Sequence, residues 1–177
     1  MENLLVKDSA TVLYEGRFLR LRQHNGWEYV ERIKGSGIVA ILAITEADKM
    51  VLVEQYRPAF GMQTIELPSG LSGDMEGVAD ETLSEAAKRE LFEETGYQAE
   101  AMEYLVEGPV SAGLSTEVVT FFRARRLNKA GKGGGDASEK IVIHEVDRQS
   151  LGSWLQDKRA ENRLVDYRIY TALYLAA

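Results

Sequence analysis

Seven consecutive apolar residues, Ile38-Val39-Ala40-Ile41-Leu42-Ala43-Ile44, constrain this chain more than any other feature. A strand with water on one face alternates apolar with polar residues. An unbroken run, entered through Gly35-Ser36-Gly37, suits a strand buried on both faces. It is far short of the ~20 apolar residues that a membrane span needs. A chain of 177 residues can bury such a strand in one domain of ordinary size, with or without a small appendage.

The chain has no cysteine, which excludes disulfides, thiolate zinc sites and a cysteine nucleophile. Its two histidines, His24 and His144, lie far apart in sequence and are expected to be structural. A formal charge of −7, with 21 basic against 28 acidic residues, argues against a nucleic-acid scaffold. Met1-Glu2-Asn3 lacks the basic start and apolar core of a secretory signal, so a soluble cytoplasmic protein is expected.

The order of elements is mixed α/β. Short strands are predicted at 10–14, 18–23 and 27–33, with Asn25-Gly26 as a hairpin turn between the last two. Each can bury one face, and together they are too small to form a core. They must therefore pack on the rest of the chain or on a second copy. Further strands are predicted at 38–44, 50–56, 63–67, 103–106, 118–125 and 140–146. A loop is expected from Leu71 to Asp80, and helices at 83–95, 149–160 and 164–176.

The helix at 83–95 opens on the capping box Thr82-Leu83-Ser84-Glu85 and stops at Gly96. At about 100° per residue, Glu90 and Glu94 fall in the same arc as Leu83, Ala86 and Ala87, with Glu93 at its edge. A solvated helix carries its acids on the far side, where this one has Lys88. Carboxylates along a burial stripe repel one another unless a cation lies among them. With only oxygen ligands nearby, that cation is expected to be Mg²⁺ or Mn²⁺. Arg89 stands four residues before Glu93 and can hold its side chain.

From Glu81 through Arg89-Glu90-Leu91-Phe92-Glu93-Glu94-Thr95-Gly96-Tyr97 the sequence resembles the Nudix box, G-x5-E-x7-R-E-U-x-E-E-x-G-U. The box's first glycine matches Gly70, but ten residues rather than five separate it from Glu81, which reads as a five-residue insertion. Val53-Glu54-Gln55-Tyr56-Arg57-Pro58, Ile65-Glu66-Leu67-Pro68-Ser69-Gly70 and Ser111-Ala112-Gly113-Leu114-Ser115-Thr116-Glu117 are similar to the ADP-ribose and nucleoside diphosphate sugar pyrophosphatases.

The resemblance implies a Nudix α/β/α sandwich at 36–177 and an N-terminal antiparallel sheet at 1–35 used in homodimerisation. It implies Mg²⁺-dependent hydrolysis of a diphosphate to a nucleoside monophosphate and a sugar phosphate. The implied metal ligands are Glu90, Glu93, Glu94 and the carbonyl of Ser69. The implied general base is Glu139, with Asp136 in reserve and Glu93 as the alternative within the box. Trp27, Arg32, Arg57, Glu66 and Arg89 are implied on the substrate side, Trp27 and Arg32 reaching across the dimer. Four glycines between 131 and 135 are expected to let the base-bearing loop close over substrate and open again. Three other readings stay open: a hydrolase of nucleoside triphosphates or dinucleoside polyphosphates, a non-catalytic nucleotide-binding Nudix domain, and an acidic interaction module.

Overall fold

The computed structural model describes residues 10–35, 37–73, 81–135 and 140–176. In chain order these form β1 (Thr11–Glu15), β2 (Leu19–His24), β3 (Trp27–Arg32), β4 (Gly37–Ala43), β5 (Lys49–Arg57), β6 (Met62–Glu66) and β7 (Ser69–Ser72). The helix α1 (Leu83–Thr95) follows, then β8 (Tyr97–Pro109), β9 (Val118–Lys129) and β10 (Val142–Asp147). The chain closes with α2 (Leu151–Ala160), β11 (Leu164–Val165) and α3 (Arg168–Leu175).

The apolar run becomes β4, and its alternation divides the core. Val39, Ile41 and Ala43 pack with Ala86, Ala87 and Leu91 of α1. Ala40 and Leu42 point the other way, into a cluster with Leu151 and Leu155 of α2 and Ile169 and Ala172 of α3. Helices therefore cover both faces, and the architecture is an α/β/α sandwich. The middle layer contains two four-stranded sheets, ordered β7-β4-β9-β8 and β10-β5-β6-β11. The β4–β9 pair is parallel, as a strand covered on both faces permits.

Strands β1 to β3 form a separate antiparallel sheet. Asn25 and Gly26 take the left-handed φ values of 49° and 81°, with His24 opposite Trp27, which gives the tight hairpin that their sequence predicts. The sheet meets the rest of the chain through β3: Val30 N–H donates to the Leu114 carbonyl (2.8 Å) and Thr116 N–H to that of Val30 (3.1 Å). Val12, Leu13, Tyr14 and Leu19 stay exposed within one chain.

Three expectations are corrected. Ser69–Ser72 is strand β7, not the start of a loop, because it pairs antiparallel with β4 from Gly37↔Ser72 to Ala40↔Ser69. Strand β8 runs from Tyr97 to Pro109, well beyond 103–106, since its charges find partners on β9, such as Arg125 donating to Glu103 at 2.7 Å. The expected last helix is broken: Leu164 and Val165 pair in parallel with Thr64 and Ile65, and α3 begins only after Asp166 has accepted the Arg168 N–H at 2.8 Å.

Candidate active site

The chemistry-bearing helix is fixed by its own ends. Thr82 Oγ accepts the Glu85 N–H (3.2 Å), and the Glu85 carboxylate accepts the Thr82 N–H (2.9 Å). The Thr82 hydroxyl, donating to the Glu85 carboxylate at 2.7 Å, and then the Thr82 N–H hold that carboxyl below its ordinary range. Gly96 ends the helix at φ 71°.

Between those ends α1 lays its acids toward the protein. Glu94 is buried on the same side as Ala86, Ala87 and Leu91, at 4% exposure, and accepts the Ser69 N–H at 2.9 Å. Glu90 lies against β7. A Cβ on Gly70 would fall 1.9 Å from the carboxyl carbon of Glu90, so only glycine lets the carboxylate rest on this backbone. Glu93 is the most open of the three. Lys88, on the far side, donates to the Glu100 carbonyl at 2.9 Å.

Arg89 organises this group. Its Nε donates to Glu81 (2.9 Å), Nη1 to Glu90 (2.7 Å) and Glu93 (3.2 Å), and Nη2 to the Leu71 carbonyl (2.9 Å) and Glu81 (3.1 Å). These bonds use all five guanidinium donors. Hydrogen bonds donated to Glu81, and then the charge of Glu90, keep the group protonated well above its ordinary range against the opposing effect of burial. Arg89, expected on the substrate side, lies here among the box acids and holds them in position. Replacing it by Ala takes this cation from Glu81 and Glu90, whose side chains are 8% and 14% exposed. Breaking a buried pair costs about 3–5 kcal/mol. At roughly 2–4 °C per kcal/mol for a chain of this size, a thermal melt of Arg89→Ala should fall by about 10 °C. Arg89→Lys should recover little of it, because an ammonium cannot fork. An unchanged melt would rule out the hub.

The remaining expected residues are placed as follows. Arg57 forks onto Glu66 through Nε (2.7 Å) and Nη2 (2.6 Å), and Arg168 approaches the same carboxylate at 3.6 Å. Both Glu66 oxygens thus face arginine within the protein, while Arg57 is partly exposed. Arg32 donates to Glu117 at 2.9 and 2.7 Å, and Trp27 Nε1 donates to the Gly113 carbonyl at 3.2 Å with its ring mostly exposed. N-terminal sheet and Ser111–Glu117 segment are thereby clasped together. His144 is bound to Glu54 (2.9 Å), which also accepts from Arg163 (2.7 Å), on the α2 side of the core. Glu139 and Asp136 lie outside the described residues.

Two features escaped sequence reasoning. The Glu81 carboxylate was visible in the box but had no local signal for its role, because it precedes the helix that carries its partner. The glycines at 131–135, expected to supply freedom to open and close, also make contacts that had no local signal. Gly134 N–H donates to the Glu94 carbonyl (2.8 Å) and Gly135 N–H to that of Glu93 (3.1 Å). Here glycine serves close approach to the end of α1.

An α/β/α sandwich whose inner helix lays Glu90 and Glu94 against a sheet-edge glycine defines a hydrolase of the Nudix type. The family model for the NUDIX domain matches residues 36–165. The ADP-ribose pyrophosphatase of Mycobacterium tuberculosis is 30% identical over 174 residues, 95% of this chain and 78% of that protein. The ADP-ribose pyrophosphatase of Bacillus subtilis is 35% identical over 140 residues, covering 78% and 73%. The methanol dehydrogenase activator of Bacillus methanolicus is 34% identical over 130 residues, covering 73% and 68%. A solved ADP compounds hydrolase shares the fold at a TM-score of 0.69 and 20% identity, covering 95% of this chain and 92% of that one. The chain belongs to the Nudix family, in the branch of the ADP-ribose pyrophosphatases.

Nudix hydrolases work with a divalent cation. The donor set fits one: Glu90, Glu93 and Glu94 offer carboxylate oxygen, and Gly70 clears the space that a Cβ would fill. Among the described residues no three of these acids converge on a common point, since the Arg89 guanidinium bridges Glu90 and Glu93. No helix among the described residues is long and apolar enough to cross a membrane.

Proposed function

We propose that this chain is a cytoplasmic pyrophosphohydrolase that cleaves the diphosphate of ADP-ribose or another nucleoside diphosphate sugar, giving a nucleoside monophosphate and a sugar phosphate. One observation carries the reading: the box carboxylates of α1 are laid over Ser69 and Gly70 in a chain similar over 95% of its length to an ADP-ribose pyrophosphatase. Glu90, Glu93, Glu94 and the carbonyl of Ser69 would hold Mg²⁺, or Mn²⁺ in its place. That cation supplies the neutralising charge that lets a chain of net charge −7 accept a diphosphate.

In the reaction a water oxygen bonds to one phosphorus, the bridging P–O bond breaks, and the water proton passes to a base. Glu139 is our candidate for that base. Arg57 is the described cation best placed for substrate: its guanidinium is fixed by Glu66 on one side and reaches solvent on the other. The test is turnover of ADP-ribose, ADP-glucose, GDP-mannose, UDP-glucose and several triphosphates with Mg²⁺ and with Mn²⁺. Faster turnover of ADP-ribose supports the reading; preference for triphosphates moves the substrate, and no turnover at all favours a binding domain.

The active unit is proposed to be a homodimer, built through residues 1–35 beside the Nudix domain at 36–177. The apolar residues that β1 and β2 leave exposed support this, because association would remove them from water. Trp27 would then stack on the base, an interaction worth about 1–3 kcal/mol. Trp27→Ala should raise KM roughly ten- to a hundredfold with less change in kcat. Light scattering that finds the active protein monomeric defeats the dimer, and an unchanged KM defeats the stacking alone.

A further inference from the structure

The C-terminal turn of α1 has every one of its last carbonyls occupied, and the donors come mainly from one remote segment. Gly96 N–H reaches the Phe92 carbonyl at 2.7 Å within the helix end itself. Beyond it, Gly135 N–H donates to Glu93 (3.1 Å), Gly134 N–H to Glu94 (2.8 Å) and Lys129 Nζ to Thr95 (2.8 Å). Ala130 and Gly131 N–H both donate to the Gly96 carbonyl, at 2.9 and 3.0 Å. Ordinary helix ends leave such groups to a single cap or to water.

The contact is backbone on backbone and requires glycine. Gly133, Gly134 and Gly135 take successive φ values of +65°, +111° and +78°, which L side chains rarely adopt. A Cβ on Gly133 would fall 2.4 Å from the Thr95 carbonyl carbon and 2.7 Å from the Glu94 carbonyl oxygen. One on Gly96 would fall 2.2 Å from the Gly131 carbonyl oxygen. Of the residues whose carbonyls are clamped, Glu93 and Glu94 are two of the proposed metal carboxylates.

We infer that residues 129–135 are a positioning clamp for the reaction: they fix the backbone of Glu93 and Glu94 and so set where these carboxylates stand. The inference rests on the metal role proposed above for those two residues. A helix end is the part of a helix that frays, and a carboxylate on a frayed turn cannot keep a ligand geometry. Residues that hold ligands from behind typically govern affinity or activity by 10- to 100-fold.

Titration of the protein with MnCl₂ by calorimetry, without substrate, tests this directly. Gly133→Ala should weaken Mn²⁺ binding by roughly 10- to 100-fold. It should lower kcat on ADP-ribose in the same range, with KM moving less than about threefold. Lys129→Met, which removes the Thr95 contact together with the charge that Lys129 places over the Tyr97 ring and near Glu145, should move both in the same direction by less. Leu155→Val, in the core under α2, should lower the melting temperature yet leave Mn²⁺ affinity unchanged. If Gly133→Ala does not fold, Lys129→Met decides. A folded clamp variant with wild-type Mn²⁺ affinity overturns the inference, as does an equal loss in Leu155→Val. A wild-type chain that binds Mn²⁺ but leaves ADP-ribose intact overturns the proposed substrate while the titration still decides the clamp; one that binds no Mn²⁺ overturns both.

Discussion

Glu94→Gln should lower kcat by about 10²–10³-fold, the scale of several kcal/mol of lost charge stabilisation in the transition state. Its melting temperature should stay within a few degrees of wild type. The two expectations come from the same geometry. Glu94 is 4% exposed and accepts the Ser69 N–H at 2.9 Å. A glutamine keeps the shape and an oxygen for that bond, so the packing survives, while the negative charge is gone. A carboxylate kept for stability alone would be an odd choice at this depth, because burying a charge costs free energy that an amide or an apolar residue would not. Glu93→Gln should show a comparable kinetic loss with even less effect on folding, since its side chain is 45% exposed. Wild-type turnover in both variants would refute the metal assignment.

What could be read from the sequence follows from where each cause lies. Helix α1 was legible from end to end because its causes are local: a capping box within four residues, a glycine stop, and a periodicity that placed Glu90 and Glu94 on the apolar side. The link from Arg89 to Glu93 was legible for the same reason, being one helical turn. Its links to Glu81 and the Leu71 carbonyl were not, because they depend on how the chain returns to the helix after β7. Strand β7 itself was hidden. Ser69-Gly70-Leu71-Ser72 has weak strand propensity, and only the free edge of β4 makes it a strand. The five-residue insertion before the helix left Gly70 in place, since the close approach of Glu90 fixes that glycine in space rather than by its distance from Glu81 in sequence. The full length of β8 was missed because charged residues interrupt its apolar ones, and those charges are satisfied by the neighbouring strand. The break before α3 had a signal that periodicity passed over: Asp166, whose side chain opens the turn.

The contacts of the glycines between 131 and 135 were not legible because glycine allows both motion and close contact, and sequence alone does not say which carbonyls it meets. Three positive φ values in succession stand beside the carbonyls of α1. Those contacts bear on the proposed base. Glu139→Gln should reduce kcat by roughly 10²–10⁴-fold, the range for a lost general base, while Mn²⁺ affinity changes little. The described residues on either side of the candidate support it. Gly135 N–H is bound to the Glu93 carbonyl at 3.1 Å, and Ile141 N–H donates to the Gly134 carbonyl at 3.4 Å. The described residues that flank Asp136 and Glu139 are thus bound to the last turn of α1 and to each other. A base must come within hydrogen-bond reach of the water it activates, directly or through one more water. Asp136→Asn is the matched control: it removes one charge from the same stretch and should cost far less. A larger loss at Asp136 reassigns the role to it. No loss at either position, with both variants folded, returns the base to the box, where Glu93 is the most exposed of the three proposed metal carboxylates and the next to test.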